Sequence, residues 1–305
     1  MTSLILHHYP MSPFSQKMRS MLGYANLPWQ SVTTREMLPR PHLQILAGGY
    51  RKIPVGQIGA DIFCDSHSIA SEIARLSGLP DLALENCSPD IQKFVQHAEL
   101  KVFIACLMSS ANGKVLAKAK SSLSMIDMLK FAWDRIQLGK DSSVKMSPST
   151  AKAVMAKHLD HVENLLQTNL FLFGNKPNHA DFATYHPLWF AHELAEKQFD
   201  QHPKLTAWMA RMKNLGEGQR SEISAQDALS IAKNHAPRTV TQSNDEALLG
   251  QLVEVSPNDY GQIPTKGLLV DSSVSTWVLS SEDVDVGKLH RHFPKVGFRL
   301  TQVLR

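Results

Sequence analysis

The sequence predicts a chain of three parts: a small mixed α/β unit over residues 1–80, an all-helical unit over 88–236, and a small all-β unit over 237–305. Three observations predict it. Short apolar runs alternate with helical patterns as far as Pro80, and almost purely helical periodicity follows to about residue 235. Beyond Pro237, five short runs holding Val, Leu, Phe and Trp alternate with turn signals. A length of 305 residues suits more than one core, and 43% hydrophobic with 20% charged residues is the balance of an ordinary globular chain.

Each element follows from its residues. Leu4-Ile5-Leu6 reads as a strand closed off by Pro10. Ser12-Pro13 supplies the N-cap and first residue of a helix in which Phe14, Met18, Met21, Leu22 and Ala25 fall at helical spacing. A second strand is expected near Trp29 to Thr33, and residues 52–58 and 61–64 read as two strands joined at Gly59-Ala60. Ile69, Ile73 and Leu76 mark a helix stopped by Gly78, with Pro80 beyond. In the helical unit, Met155, Leu159, Val162 and Leu166 form one apolar stripe, and Asn178 with Asp181 three residues on forms a capping box. The polar segment 137–150 reads as a loop. Pro237 and the polar stretch to residue 246 read as a linker to an appended β module, with Trp277, Phe293, Phe298 and Leu300 as its core. That module is expected to leave residues 1–236 complete without it.

The composition excludes several classes. No apolar run approaches the roughly 20 residues of a membrane helix, and the N-terminus lacks the basic start of a signal peptide. Three cysteines at 64, 87 and 106 show no CxxC spacing, so reduced thiols in the cytoplasm are expected. The net charge of +4 is mild, and its densest stretch (Lys114, Lys118, Lys120) has no interleaved aromatics, so a solvated helix face is expected and nucleic-acid binding is not. His158 and His161 lie three apart without two further ligands in view, so no metal site is expected. His290 and His292 share one face of a strand and read as structural, and Cys64 reads as a buried, inert thiol.

The chemistry concentrates in the first unit. Ser12 caps a helix at a strand-to-helix turn, where a hydroxyl can also donate to an anion held by the helix N-terminus. A cis Ile53–Pro54 bond would turn the Ile53 backbone outward to pair with an extended peptide-like ligand. Asp65-Ser66 opens the next helix, where a carboxylate, a hydroxyl and free N–H groups can receive the amine and carboxylate of an amino acid. Plain capping accounts for Ser12, Asp65 and Ser66 taken singly.

Together, S-P-F-S-x-K-x-R at residues 12–19, K-I-P-V at 52–55, D-S-x-x-I at 65–69 and the N-x-x-D box resemble the cytosolic glutathione transferase superfamily over residues 1–235. The resemblance implies a thioredoxin-like N-terminal domain, an all-helical second domain and a homodimer. It implies that Lys52, Ile53, Pro54, Asp65 and Ser66 hold glutathione and that Ser12 faces its thiol, with Tyr9 the alternative. It also implies an enzyme that adds the glutathione thiolate to a small hydrophobic electrophile, in a pocket where Met11, Phe14, Phe103, Met108 and Trp133 are candidates. A non-catalytic glutathione or apolar-ligand binder, and a dimeric scaffold using the β module, are the other readings. Tyr50-Arg51-Lys52-Ile53-Pro54, Cys64-Asp65-Ser66, Asp134-Arg135 and residues 292–298 resemble a subgroup carrying an extra C-terminal β domain. The chain departs from the family in having no cysteine at position 12 and in placing Gly56 where a bulky residue is usual.

Overall fold

A computed structural model describes residues 3–110, 113–115, 117, 127–128, 130–131, 133–134, 144–240 and 247–303. Lys118, Lys120, Arg135, residues 137–143 of the expected 137–150 loop and residues 241–246 of the linker lie outside the described residues, and the loop's last residues, 148–150, open a helix.

The chain opens with β1 (Leu4–His8), α1 (Pro13–Tyr24), β2 (Pro28–Thr33), α2 (Pro41–Ala47), β3 (Val55–Ile58), β4 (Asp61–Cys64) and α3 (Ser66–Ser77). β1 runs parallel to β2 and antiparallel to β3, and β3 pairs antiparallel with β4 around Gly59 at φ 59°. This β-α-β then β-β-α arrangement is the thioredoxin-like fold. The strands are buried on both faces, so alternate residues serve different cores. Leu4 and Leu6 face α1, α3 and the helical domain, whereas Ile5 faces Val32 and Ala228 on the opposite side.

The helical domain follows with α4 (Pro89–His97), a widened π turn over Ala98–Val102, α5 (Phe103–Ser110), α6 (Pro148–Leu165), α7 (His179–Trp189) and α8 (Pro203–Asn214). Among the described helices none is long and apolar enough to cross a membrane. The expected capping box of α7 is present: Ala180 N–H donates to Asn178 Oδ1 at 2.9 Å, and Asn178 N–H donates to Asp181 Oδ2 at 3.0 Å. The chain then returns to the first sheet. β5 (Gln219–Glu222) pairs parallel with β2, and α9 (Ala225–Lys233) packs beside α2. The sequence expected only helix here, because β5 is QRSE, wholly exposed and without period-two alternation. Its position comes from backbone pairing and from Gly218, whose φ of 72° and 2.7 Å clearance to the Leu22 carbonyl leave no room for a side chain.

The C-terminal strands are β6 (Leu252–Pro257), β7 (Thr265–Ser272), β8 (Thr276–Asp283), β9 (Gly287–Pro294) and β10 (Phe298–Gln302). The expected appended β strands are present, and they extend the first sheet. β9 pairs parallel with β4, giving one ten-stranded sheet in the order β10-β6-β7-β8-β9-β4-β3-β1-β2-β5. The core is shared to match. Val55, Ile62, Cys64, Leu43 and Leu46 pack in one cluster with Val253, Leu279, Phe293 and Phe298, while Trp277 and Leu300 border it. Polar contacts close the seam: His292 Nε2 lies 2.7 Å from Asp61 Oδ1, and Arg238 N–H donates to Asp61 Oδ2 at 2.9 Å. The parallel β4–β9 pairing was invisible in the sequence because nothing in β4 reads differently at an edge and in a sheet centre.

Candidate functional site

A cavity of about 740 Å³ opens where the three parts meet, and both ligand-binding motifs border it. Lys52, Ile53 and Pro54 form part of its floor, Asp65, Ser66 and His67 the start of α3, and Pro89, Gln92, Gln96 and Glu99 the helical wall. The Ile53–Pro54 bond is cis. Among the described residues no hydrogen bond is made by the backbone N–H or C=O of Ile53, which leaves both groups for a peptide-like partner.

Asp65 N-caps α3 at φ 81°, a left-handed backbone that costs a non-glycine residue about 1–3 kcal/mol. Its Oδ1 accepts from His67 N–H at 2.9 Å, and Tyr50 donates its hydroxyl to Oδ2 at 3.4 Å. Ser66 is buried beside it, with its Oγ 3.5 Å from Lys17 Nζ.

Beneath this helix start lies a network the sequence did not reveal. Lys17, fully buried in α1, donates to Glu99 Oε1 at 2.5 Å and to His179 Nε2 at 2.9 Å. His179 donates its Nδ1 proton to the Leu82 carbonyl at 2.7 Å, and burial followed by the Lys17 charge pulls its pKa down to about 4. His67 Nε2 lies 2.6 Å from Glu99 Oε2. Burial opposes the His67 charge, but Glu99 outweighs it and raises the pKa above the ordinary value. Burial also works against the Glu99 carboxylate, and Lys17 and His67 overcome it to hold that group well below the usual range. His67, Glu99 and His179 bring three possible metal-ligand atoms, two imidazole nitrogens and a carboxylate oxygen, within 4.8 Å of one another. The Lys17 ammonium already sits among them and supplies the positive charge the carboxylate needs. Only a contact map could have joined residues 17, 67, 99 and 179. The π turn that carries Glu99 into the cavity leaves no sequence signature.

Other expected site residues stand apart. Ser12 caps α1, its buried Oγ accepting from Ser15 N–H at 3.2 Å, and neither Ser12 nor Tyr9 lines the cavity. Among the described hydrogen bonds none takes the Ser12 hydroxyl proton, which stays available to donate. Phe14, the second residue of α1, does line it and meets Phe103 edge to face at 4.9 Å. Met108 and Trp133 are exposed and outside the lining. His158 is buried against Phe94 and His97, and burial drops its pKa to about 3. Cys64 is buried, which pushes its thiol far up. Arg51 and Asp134, quoted from separate motifs, form an ion pair at 2.7 Å.

Comparisons with known proteins agree with this architecture. Residues 6–81 match the glutathione S-transferase N-terminal domain, and residues 132–211 match the glutathione S-transferase C-terminal domain. A GST-like protein from Pseudomonas syringae is 28% identical with a TM-score of 0.80, covering 99% of this chain and 100% of that one, C-terminal strands included. A glutathione S-transferase from Rhodospirillum rubrum, 16% identical over 69% of this chain and 87% of its own, has a TM-score of 0.51 and shares the fold. No curated protein matches the sequence. A thioredoxin-like sheet, a helical domain with its capping box, and both domain matches in the expected order place this chain in the glutathione S-transferase superfamily.

Proposed function

We propose that the chain is a glutathione-dependent transferase that binds glutathione in the 740 Å³ cavity and adds its thiolate to a small hydrophobic electrophile. The observation that carries the reading is the convergence of Ile53-Pro54 and Asp65-Ser66 on that one cavity. The γ-glutamyl head group would place its carboxylate at the N-terminus of α3, near Ser66 and Lys17, and its amine against Asp65. The cysteinyl backbone would pair with the open Ile53 groups. The strained Asp65 backbone supports a binding role, since such strain concentrates at ligand clamps.

A free thiol has a pKa near 8.5, so the reaction needs the thiolate stabilised, by about 1.4 kcal/mol for each unit of depression. Ser12, with its proton free to donate at the start of α1, is the proposed stabiliser, and Tyr9 is the alternative. The three cysteines are free and buried, which suits a reducing compartment such as the cytoplasm. A second reading, glutathione binding without turnover, draws on Ser12 lying outside the cavity lining.

Turnover of a panel of hydrophobic electrophiles with glutathione separates the two. On the transferase reading the wild type conjugates at least one, and Ser12→Ala lowers kcat/KM by about tenfold or more through the lost hydrogen bond, whereas Tyr9→Phe changes it little. Because loss of an N-cap costs about 1 kcal/mol, the melting temperature of each variant is measured alongside. Bound glutathione without turnover of any electrophile selects the second reading, and a damaging Tyr9→Phe reverses the assignment.

A further inference from the structure

Lys17, on α1, has a fully buried side chain, and its ammonium has three protons to place. Glu99 Oε1 takes one at 2.5 Å and His179 Nε2 another at 2.9 Å. The His179 nitrogen is free to accept because the Nδ1 proton goes to the Leu82 carbonyl at 2.7 Å. The third proton is directed at Ser66 Oγ, 3.5 Å away and beyond the usual range of about 2.7–3.2 Å. Ser66 lines the cavity and Lys17 does not. Among the described hydrogen bonds none takes the Ser66 hydroxyl proton. The C-terminal wall of the cavity, Asn258–Tyr260 and Val296–Phe298, contributes no residue to this cluster.

Stability alone does not explain a charge in this place. Once desolvation is counted, apolar side chains of similar volume often serve as well as a buried ion pair or better. The long third contact supplies a reason. With Lys17 behind it, the Ser66 oxygen is engaged from below, and its own proton is left to donate into the cavity. Hydrogen bonds in a chain polarise one another, so an ammonium behind a hydroxyl makes that hydroxyl a better donor to an anion. A carboxylate that drew the Ser66 proton would make its oxygen more negative and strengthen the Lys17 contact in turn. Glu99 does not cancel the Lys17 charge on its own account, because His67 Nε2 takes its other oxygen at 2.6 Å and the carboxylate is shared between two donors. The N-terminus of α3, where Ser66 sits, favours an anion as well.

We infer that Lys17 is a positioning residue that acts through Ser66 to select ligands with an α-carboxylate on the head group, the γ-glutamyl end of glutathione among them. The inference rests on the glutathione reading above. The relay runs from the Leu82 carbonyl through His179 and Lys17 to Ser66, and so joins α7, α1 and α3 behind one hydroxyl. Its product is a single preorganised donor at the cavity surface, held by groups that stay behind it.

Titration calorimetry of the full chain at neutral pH, with glutathione and with γ-aminobutyryl-cysteinylglycine, tests this, because the second peptide lacks only the α-carboxylate. The wild type should bind glutathione about tenfold or more tightly than the analogue, the scale of one hydrogen bond to a charged group. Lys17→Met, of similar length and uncharged, should weaken glutathione by most of that factor and leave the analogue within about twofold, so that the ratio collapses. A variant that only loosened the fold would weaken both peptides alike. Should Lys17→Met fail to fold, Lys17→Met combined with Glu99→Gln removes the pair together, which a buried pair tolerates better than the loss of one partner, and the same ratio is read. Glutathione binding that the variant leaves unchanged, or that falls in parallel with the analogue, overturns the inference while the glutathione reading stands. A wild type that binds both peptides equally overturns it too. Failure of glutathione to bind the wild type overturns the reading and the inference with it.

Discussion

Asp181 shows how much one side chain carries and how much of that a sequence displays. The N-x-x-D spacing predicts its bond to Asn178 N–H. The structure adds Leu172 N–H and Trp208 Nε1, each donating to Oδ1 at 2.9 Å. Those two donors come from a turn and from α8, so no local pattern could announce them. Burial pushes the Asp181 carboxyl up to about 6, against the pull of these donors. Replacing it with alanine would strand three buried N–H groups, each costing about 1–3 kcal/mol unpaired. Asp181→Ala should therefore lose about 3 kcal/mol or more in urea unfolding, and a loss under about 1 kcal/mol would show that the box is not what holds α7 in place. Gly56 makes the converse point. Its place after Ile53-Pro54-Val55 had no account in the sequence, but a Cβ there would lie 3.0 Å from Ile69 Cγ1 and 3.3 Å from Phe63 Cβ. The glycine lets α3 sit close on the sheet, and that helix carries Ser66.

Strand β9 joins the C-terminal region to the rest, and Arg291 is its main tie. From β9 its guanidinium donates to the Leu46 carbonyl at 2.8 Å, the Ile45 carbonyl at 3.0 Å and Ser281 Oγ at 2.6 Å. It thus satisfies carbonyls at the end of α2 that a helix leaves unpaired. Arg291→Met should keep the packing and lose about 2–4 kcal/mol, read in urea unfolding. Cutting the chain after Ala236 should do more. It bares the edge of β4 and the apolar side chains of Leu43, Leu46, Ile62 and Cys64, so the fragment is expected to aggregate instead of standing as a soluble glutathione-binding core. A soluble, folded fragment by sedimentation and circular dichroism would contradict this. Strands β1–β4, helices α1, α3 and α7 and the turn glycines Gly59 and Gly78 were legible because periodicity and capping are local, whereas the seven-residue α2, too short to show a helical period, was not read. The edge pairing of β4 with β9, the β5 return and the C-terminal wall of the cavity were not, because each joins distant segments through backbone or through single charged side chains.

Across the whole molecule, acid should be the main threat. Burial holds five histidines neutral: His7 and His179 at about 4, and His8, His158 and His186 at about 3. Each takes up its proton only on unfolding, so between its folded value and the ordinary 6.5 the unfolded state binds more protons and stability drops as the pH is lowered. Asp181 opposes this between 3.8 and about 6, because there the folded state holds the extra proton. The lowered histidines outnumber Asp181, and each net proton steepens the loss by about 1.4 kcal/mol per pH unit. Calorimetric melting should show Tm falling from just below pH 6.5 and steeply by pH 5, and a flat or rising Tm over that range would contradict the buried-neutral assignment. We further propose a homodimer, as the superfamily suggests, and a 34.0 kDa species in sedimentation at micromolar concentration would exclude it. Where a thiol tripeptide binds decides whether this cavity is the glutathione site. A crystal structure of the full chain grown with millimolar glutathione should show the γ-glutamyl head at Asp65 and Ser66 and the cysteinyl backbone paired with Ile53. A cavity left empty, or glutathione bound at any other surface, would contradict it.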